Sequence, residues 1–163
     1  MQNLKRKNKN SGFTLIELLI VIVILGILAA ALLSAINPLE QIRKSQDTSE
    51  KSDAAELLNA MERYFTTFQY YPSGDDTDPD GDLSATPAAA STLANVEADL
   101  ELTNEVKPEF FDRSNLDDLY VSLDTNDLVH ICFEPASSTF TQLAVIGAHC
   151  PNAATACICV PSE

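Results

Sequence analysis

One acidic residue, Glu17, lies inside a run of 24 residues, Phe13 to Ile36, otherwise interrupted only by Thr14, Gly26 and Ser34. An ionised carboxylate placed in hydrocarbon costs on the order of 3 kcal/mol, so such a residue normally has a partner that shares its charge. Further along, Asp76-Thr77-Asp78-Pro79-Asp80-Gly81-Asp82 sets carboxylates at alternate positions around a turn-forming glycine. Asp76, Asp78, Asp80 and Asp82 offer the hard oxygen ligands that Ca²⁺ takes. An EF-hand counted from Asp76 would need its bidentate Glu at position 87, which is Pro87, so a Ca²⁺ here would lack that frame. The alternative is a solvated acidic loop, whose five acids within residues 75–82 repel one another unless screened. Enzymatic chemistry has no evident centre. His130 falls in a strand-like alternation and His149 beside a cysteine, no nucleophile, base and orienter come together, and no glycine-rich phosphate loop follows a strand. The chain is therefore not expected to be an enzyme.

The elements that must position Glu17 are legible around it. Lys5, Arg6, Lys7 and Lys9 precede the apolar run, and no Lys or Arg occurs between Gly12 and Gln41. As a helix rising about 1.5 Å per residue the run reaches roughly 36 Å, enough to cross a bilayer core. The basic leader predicts a cytoplasmic N-terminus with the remainder outside. A conventional secretory signal is a competing reading, with Ala29 to Ala31 as small residues for its peptidase, but the run is too long and carries a carboxylate near its start. A plain signal anchor is the second, and Glu17 argues against it.

The string Ser11-Gly12-Phe13-Thr14-Leu15-Ile16-Glu17 resembles the cleavage and methylation motif of type IV prepilins and pseudopilins, residue for residue. The resemblance implies that a prepilin peptidase cuts after Gly12, that the new amine on Phe13 is methylated, and that Glu17 supports filament assembly. Its implied partners are other copies of the chain, the peptidase, an inner-membrane assembly platform with its ATPase, and membrane lipid before assembly. Physical logic agrees: cleavage leaves an ammonium that could pair with the Glu17 carboxylate of a neighbouring subunit, each offsetting the other's desolvation. Gly12, lacking Cβ, lets the scissile peptide extend and approach a protease's catalytic groups. Removal of residues 1–12 leaves six Lys and Arg against 24 Asp and Glu, a formal −18, which repels nucleic acid. Family members that carry this glutamate are ordinary filament subunits, and some related pseudopilins use Ca²⁺ to order their C-terminal region. The alternative is a signal-anchored extracytoplasmic binding domain, or a Ca²⁺-dependent adhesive one, that does not polymerise.

Beyond the span, Asn37 and Pro38 are placed to bend or locally break the helix. From Thr48 to Tyr70, Ala54, Leu57, Leu58, Met61, Tyr64, Phe65 and Phe68 recur at spacings of three and four, predicting an amphipathic helix. Tyr71-Pro72 is expected to stop it, and if both stretches are continuous they form one helix over 13–70. Residues 72–118 read as an acidic connector, variable within the family, with a short helix in 88–102 that Ser91 or Thr92 could cap. The C-terminal part reads as β: 119–123, a turn at 124–127, 128–133, then 140–146, with 157–160 as a fourth strand. Such a sheet is expected to bury one face against the amphipathic helix. Cys132, Cys150, Cys157 and Cys159 all fall here, outside the cytoplasm by the orientation argument, which favours disulfides. Cys157 and Cys159 are too close to bridge each other in a strand, so Cys132 with Cys159 and Cys150 with Cys157 is the favoured pairing. A zinc cluster with His149 is the alternative, without the usual paired knuckles. The expected whole is α+β, a pilin-like lollipop of leader (1–12), membrane helix (13–36), amphipathic helix (37–71), connector (72–118) and disulfide-bonded antiparallel sheet (119–163).

Overall fold

The computed structural model describes residues 12–72, 81, 83–152 and 154–161. The basic leader up to Ser11 and the candidate Ca²⁺ positions Asp76, Asp78, Asp80 and Asp82 lie outside the described residues. The chain divides between Pro38 and Leu39 into two compact units. The first contains α1, Leu15–Ala35, whose aliphatic residues are exposed on every side. Leu and Ala favour the helix locally, the β-branched Ile and Val less so, and no stripe of it is reserved for a protein core.

The two helical stretches are not continuous. Ile36 is extended (φ −104°, ψ 125°), Asn37 is non-helical, and α2 (Pro38–Phe68) begins at the proline. Pro38 therefore starts a helix instead of bending one: its ring presets φ, and its missing N–H would be unpaired in a first turn anyway. The helix begins at Pro38, one residue inside the 37–71 segment assigned to it and ten residues before Thr48, where the apolar spacing becomes visible. Its end comes at Gln69, in the left-handed region (φ 64°), whose side-chain amide donates to the carbonyls of Phe65 and Thr66. Tyr71-Pro72 lies beyond that stop.

In the second unit, α2 covers an antiparallel sheet of β1 (Ala88–Ala89), β2 (Leu119–Leu123), β3 (Val129–Phe133) and β4 (Ile158–Val160), in that order. The β2–β3 hairpin pairs Leu119 with Phe133 and Leu123 with Val129. Its turn places Asp127 at φ 60°, and the Asp124 carboxylate accepts the N–H groups of Asn126 and Leu128. The fold is α+β. Side chains alternate across the strands, so Leu119, Val121, Ile131 and Phe133 join Leu57, Met61, Val96, Leu100, Phe110 and Leu116 in one core. Phe65 and Phe68, expected on the apolar face, are partly exposed at its end.

The fold departs from the sequence expectations in three places. Residues 140–146 are no strand: α4 (Ser138–Thr141) is followed by a loop with a single β-bridge, Val145 to Cys157. The segment 88–102 holds β1, a 3-10 turn at Ala90–Thr92 and α3 (Ala94–Leu102), with Leu93 at the helix cap and no capping side chain. The sheet also buries both faces, because every residue of β3 is buried. Its second face, with Ser122, His130 and Cys132, lies beneath the loop carrying His149 and Cys150.

Candidate functional site

Thr14 stands just before α1 in extended conformation (φ −87°, ψ 149°), with Glu17 at the third helical position. The Glu17 carboxylate accepts from the Thr14 N–H at 2.8 Å and from its hydroxyl at 2.7 Å, both through Oε2. The Glu17 N–H donates back to the Thr14 hydroxyl oxygen at 3.3 Å. This capping box satisfies backbone N–H groups that open every helix without a partner. It also holds the carboxylate at the mouth of the helix, folded toward its N-terminus, where the helix dipole favours negative charge. Among the described residues, a Cβ at Gly12 would meet nothing within 4 Å. Those residues thus place no steric demand for glycine at this position, so a requirement for it would arise in whatever handles the adjoining peptide bond.

Two disulfides organise the other end. Cys132 and Cys159 face each other directly across β3 and β4 with a Cα separation of 4.0 Å, and Cys150 joins Cys157 at 5.5 Å. With sequence separations of 27 and 7, restriction of the unfolded chain contributes about 3.5 and about 2.4 kcal/mol in the chain-entropy account. All four thiols are engaged in these bridges. His130 and His149 stack at 4.2 Å between ring centres, and His149 Nδ1 lies 2.9 Å from the Ser122 hydroxyl. The rings fill space over the sheet beside Asp124, whose Oδ2 is 3.9 Å from His130 Nε2.

Carboxylates on the packed face of α2 escaped the sequence reading. Asp47 is fully buried and accepts from the N–H groups of Ala136 and Ser137 at 2.8 and 2.9 Å and from the Ser137 hydroxyl. Glu40 accepts the Ser138 N–H and hydroxyl, both at 2.7 Å. Together they hold the start of α4, which is why a β-like stretch becomes a helical turn there. Asp53 takes Arg113 at 2.6 Å and Asn115 at 2.9 Å. The signal was available: Asp47, Glu50 and Asp53 continue the three-and-four spacing of Ala54, Leu57 and Met61, so an acid on that stripe needs donors from elsewhere in the chain.

Glu50 is the member of this set whose charge is least supported. Burial, then the nearby Asp118, Asp47 and Asp53, push its carboxyl up to about 7. A carboxyl that holds its proton in the folded state to higher pH stabilises the fold at low pH. That contribution is lost as pH rises from about 4.5 to about 7. Glu50→Gln removes the penalty, so its melting temperature should exceed that of the parent at pH 8 and match it at pH 4, measured by thermal denaturation of the full chain in detergent. An equal gain at both pH values would show that Glu50 ionisation is not the cause.

Against known proteins, the family model described as "Prokaryotic N-terminal methylation motif" matches residues 7–33. The chain is similar to type II secretion system core protein G of Vibrio cholerae, 36% identical over 72 residues, or 44% of this chain and 48% of that protein. To the protein of that name from Aeromonas hydrophila it is 38% identical over 68 residues, 42% of this chain and 46% of that protein. The match thus spans about half the length of these relatives. No solved structure matches the chain. The capped, carboxylate-bearing entry to α1 falls within the matched segment, and the chain carries the N-terminal methylation motif of prokaryotic pilins, with homologues named as a core protein of type II secretion.

Proposed function

We propose that this chain is a structural subunit of a type IV pilus or pseudopilus. A prepilin peptidase removes residues 1–12, the Phe13 amine is methylated, and the mature chain passes from the cytoplasmic membrane into an extracellular filament through α1. The observation that carries this reading is Glu17 held at the mouth of a helix that is apolar all round. Such a helix buries its sides in lipid or in identical neighbours, and the carboxylate at its mouth meets the new ammonium of an adjacent copy. The residues after Leu39, with two disulfides, suit an oxidising compartment outside the cytoplasm. Similarity to a type II secretion core protein favours a secretion pseudopilus over a motility pilus. An assembly platform and its ATPase would supply the work of extraction.

The test is chemical and visual. Mass spectrometry of the mature protein should find an N-terminus at methylated Phe13, and electron microscopy of cells overproducing the chain should find filaments that react with antibody to it. An N-terminus at Met1, or at an alanine within 29–31, would instead support the signal-anchored reading.

A further inference from the structure

No Asp, Glu, Lys or Arg occurs from Pro135 to Ser162, although 21% of the chain is charged. This stretch of 28 residues is longer than the uncharged run between Glu17 and Glu40, which is 22. Yet it is no buried segment: Leu143, Val145 and Ile146 are 69%, 56% and 67% exposed. Three large apolar side chains thus project from the one long region of the second unit that carries no charge.

The projection is held rigidly. Val145 and Cys157 exchange backbone hydrogen bonds at 3.0 and 2.9 Å, and Cys157 is bridged to Cys150. The N–H groups of Leu143 and Ala144 donate to the Phe140 carbonyl, while Asp47 and Glu40 fix the start of α4. Apolar groups already locked in place lose little entropy on binding. A second apolar feature lies on the same unit: a groove of about 450 Å³ lined by Leu58, Phe65, Tyr71, Leu128, Val129 and Pro161, with Glu62 the one charged residue in its lining among the described residues. The β3–β4 register pairs Ile131 with Val160 and Phe133 with Ile158. Pro161 and the groove therefore lie toward the Leu128 end of the sheet, and Cys157 with the Val145 loop toward the Phe133 end.

We infer that the Leu143–Val145–Ile146 projection of one copy docks into the Leu128–Phe65 groove of the next, forming a head-to-tail contact within the filament. This inference rests on the filament reading above. A second copy is the occupant because two different patches at opposite ends of one unit generate an open, repeating assembly, whereas a single self-complementary patch closes a dimer. Charge selects the surface as well. Copies that each carry a large net negative charge approach most easily where carboxylates are fewest: the projection carries none and the groove's described lining a single one, Glu62, in keeping with the depletion of charge at interface centres in general.

The experiment uses the full chain in cells that assemble it. Ile146→Glu and Leu128→Lys should each lower filament yield roughly tenfold or more, since each places a charge against an apolar surface, while N-terminal processing and both disulfides remain intact. The combination of the two should recover yield, because the new charges face each other across the contact. A photo-crosslinking residue at position 146 should join one copy to the Phe65 or Leu128 region of another, a readout that does not depend on either variant accumulating. Normal filaments from Ile146→Glu, no recovery in the combination, or crosslinks to a different protein alone would overturn the contact while leaving the filament function standing. Absence of filaments from the unmodified chain would overturn the function, and this contact with it.

Discussion

Glu17→Gln should insert, be processed at Gly12, and fail to build filaments at normal yield. Glutamine keeps a side-chain oxygen where Glu17 Oε2 accepts the Thr14 N–H and hydroxyl, so the capping box survives in neutral form. What is lost is the charge. Glu17→Ala removes both cap and charge, so the pair of variants separates two roles that one carboxylate plays in this structure. If the carboxylate acts by pairing with the ammonium of a neighbouring Phe13, both variants should lose filaments by roughly tenfold or more, the order expected for a charge-assisted contact worth more than about 1.4 kcal/mol per decade. If it acts only by capping α1, the glutamine variant should polymerise like the parent. Filament yield by shearing and immunoblot, beside an N-terminal mass measurement for processing, reads both arms. Normal filaments from Glu17→Gln would sink the charge-pairing account and leave the cleavage-site reading intact.

The two ends of the chain were legible to different degrees. The apolar helix, its intruding carboxylate and the motif around Gly12 are contiguous, so composition and spacing are enough to locate them. The 119–133 hairpin was equally plain, because period-two alternation flanks an Asp-rich turn. The inward face at the start of α2 was hidden by chemistry. Its first ten residues, Pro38 to Asp47, offer only Leu39 and Ile42 as large apolar side chains, both exposed, and the buried stripe reaches back through them only if Asp47 is counted as an inward-facing residue. Counting it so requires knowing that Ala136 and Ser137, nearly ninety positions away, supply its donors.

The same contact explains the misread strand. Residues 140–146 have the apolar and β-branched composition of a strand, but Ser137 caps a helical turn whose N-terminal groups are held by two carboxylates of α2. A tertiary contact thus overrides local propensity. The exposure of Leu143, Val145 and Ile146 follows from it. In a strand, alternate members of that series would have turned inward.

Asp47→Ala should therefore be as damaging as truncating a large core side chain of the second unit. The carboxylate is fully excluded from solvent and accepts three hydrogen bonds, two of them from the buried Ser137, whose N–H and hydroxyl would be left without an acceptor. Hydrogen bonds to a charged acceptor contribute about 1.5–3 kcal/mol each, and they overlap when they share one carboxylate, so the expected loss is about 3–5 kcal/mol. At roughly 4 °C per kcal/mol for a unit of this size, the melting temperature should fall by roughly 12–20 °C. Asp47→Asn keeps one acceptor oxygen but turns an amide NH₂ toward donors, so it should also destabilise, by less. Glu40→Ala, whose acceptor sits in solvent beside Ser138, should shift the melt far less than either. The loss should also be local before it is global, because both disulfides still tether β4 and the Val145 loop when the start of α4 is released. Limited proteolysis of Asp47→Ala below its melting temperature should then cut first between Ala136 and Ile146, while β2 and β3 stay protected. A melt within 3 °C of the parent, or a first cut in the hairpin instead, would show that the Asp47 clamp does not hold this region in place.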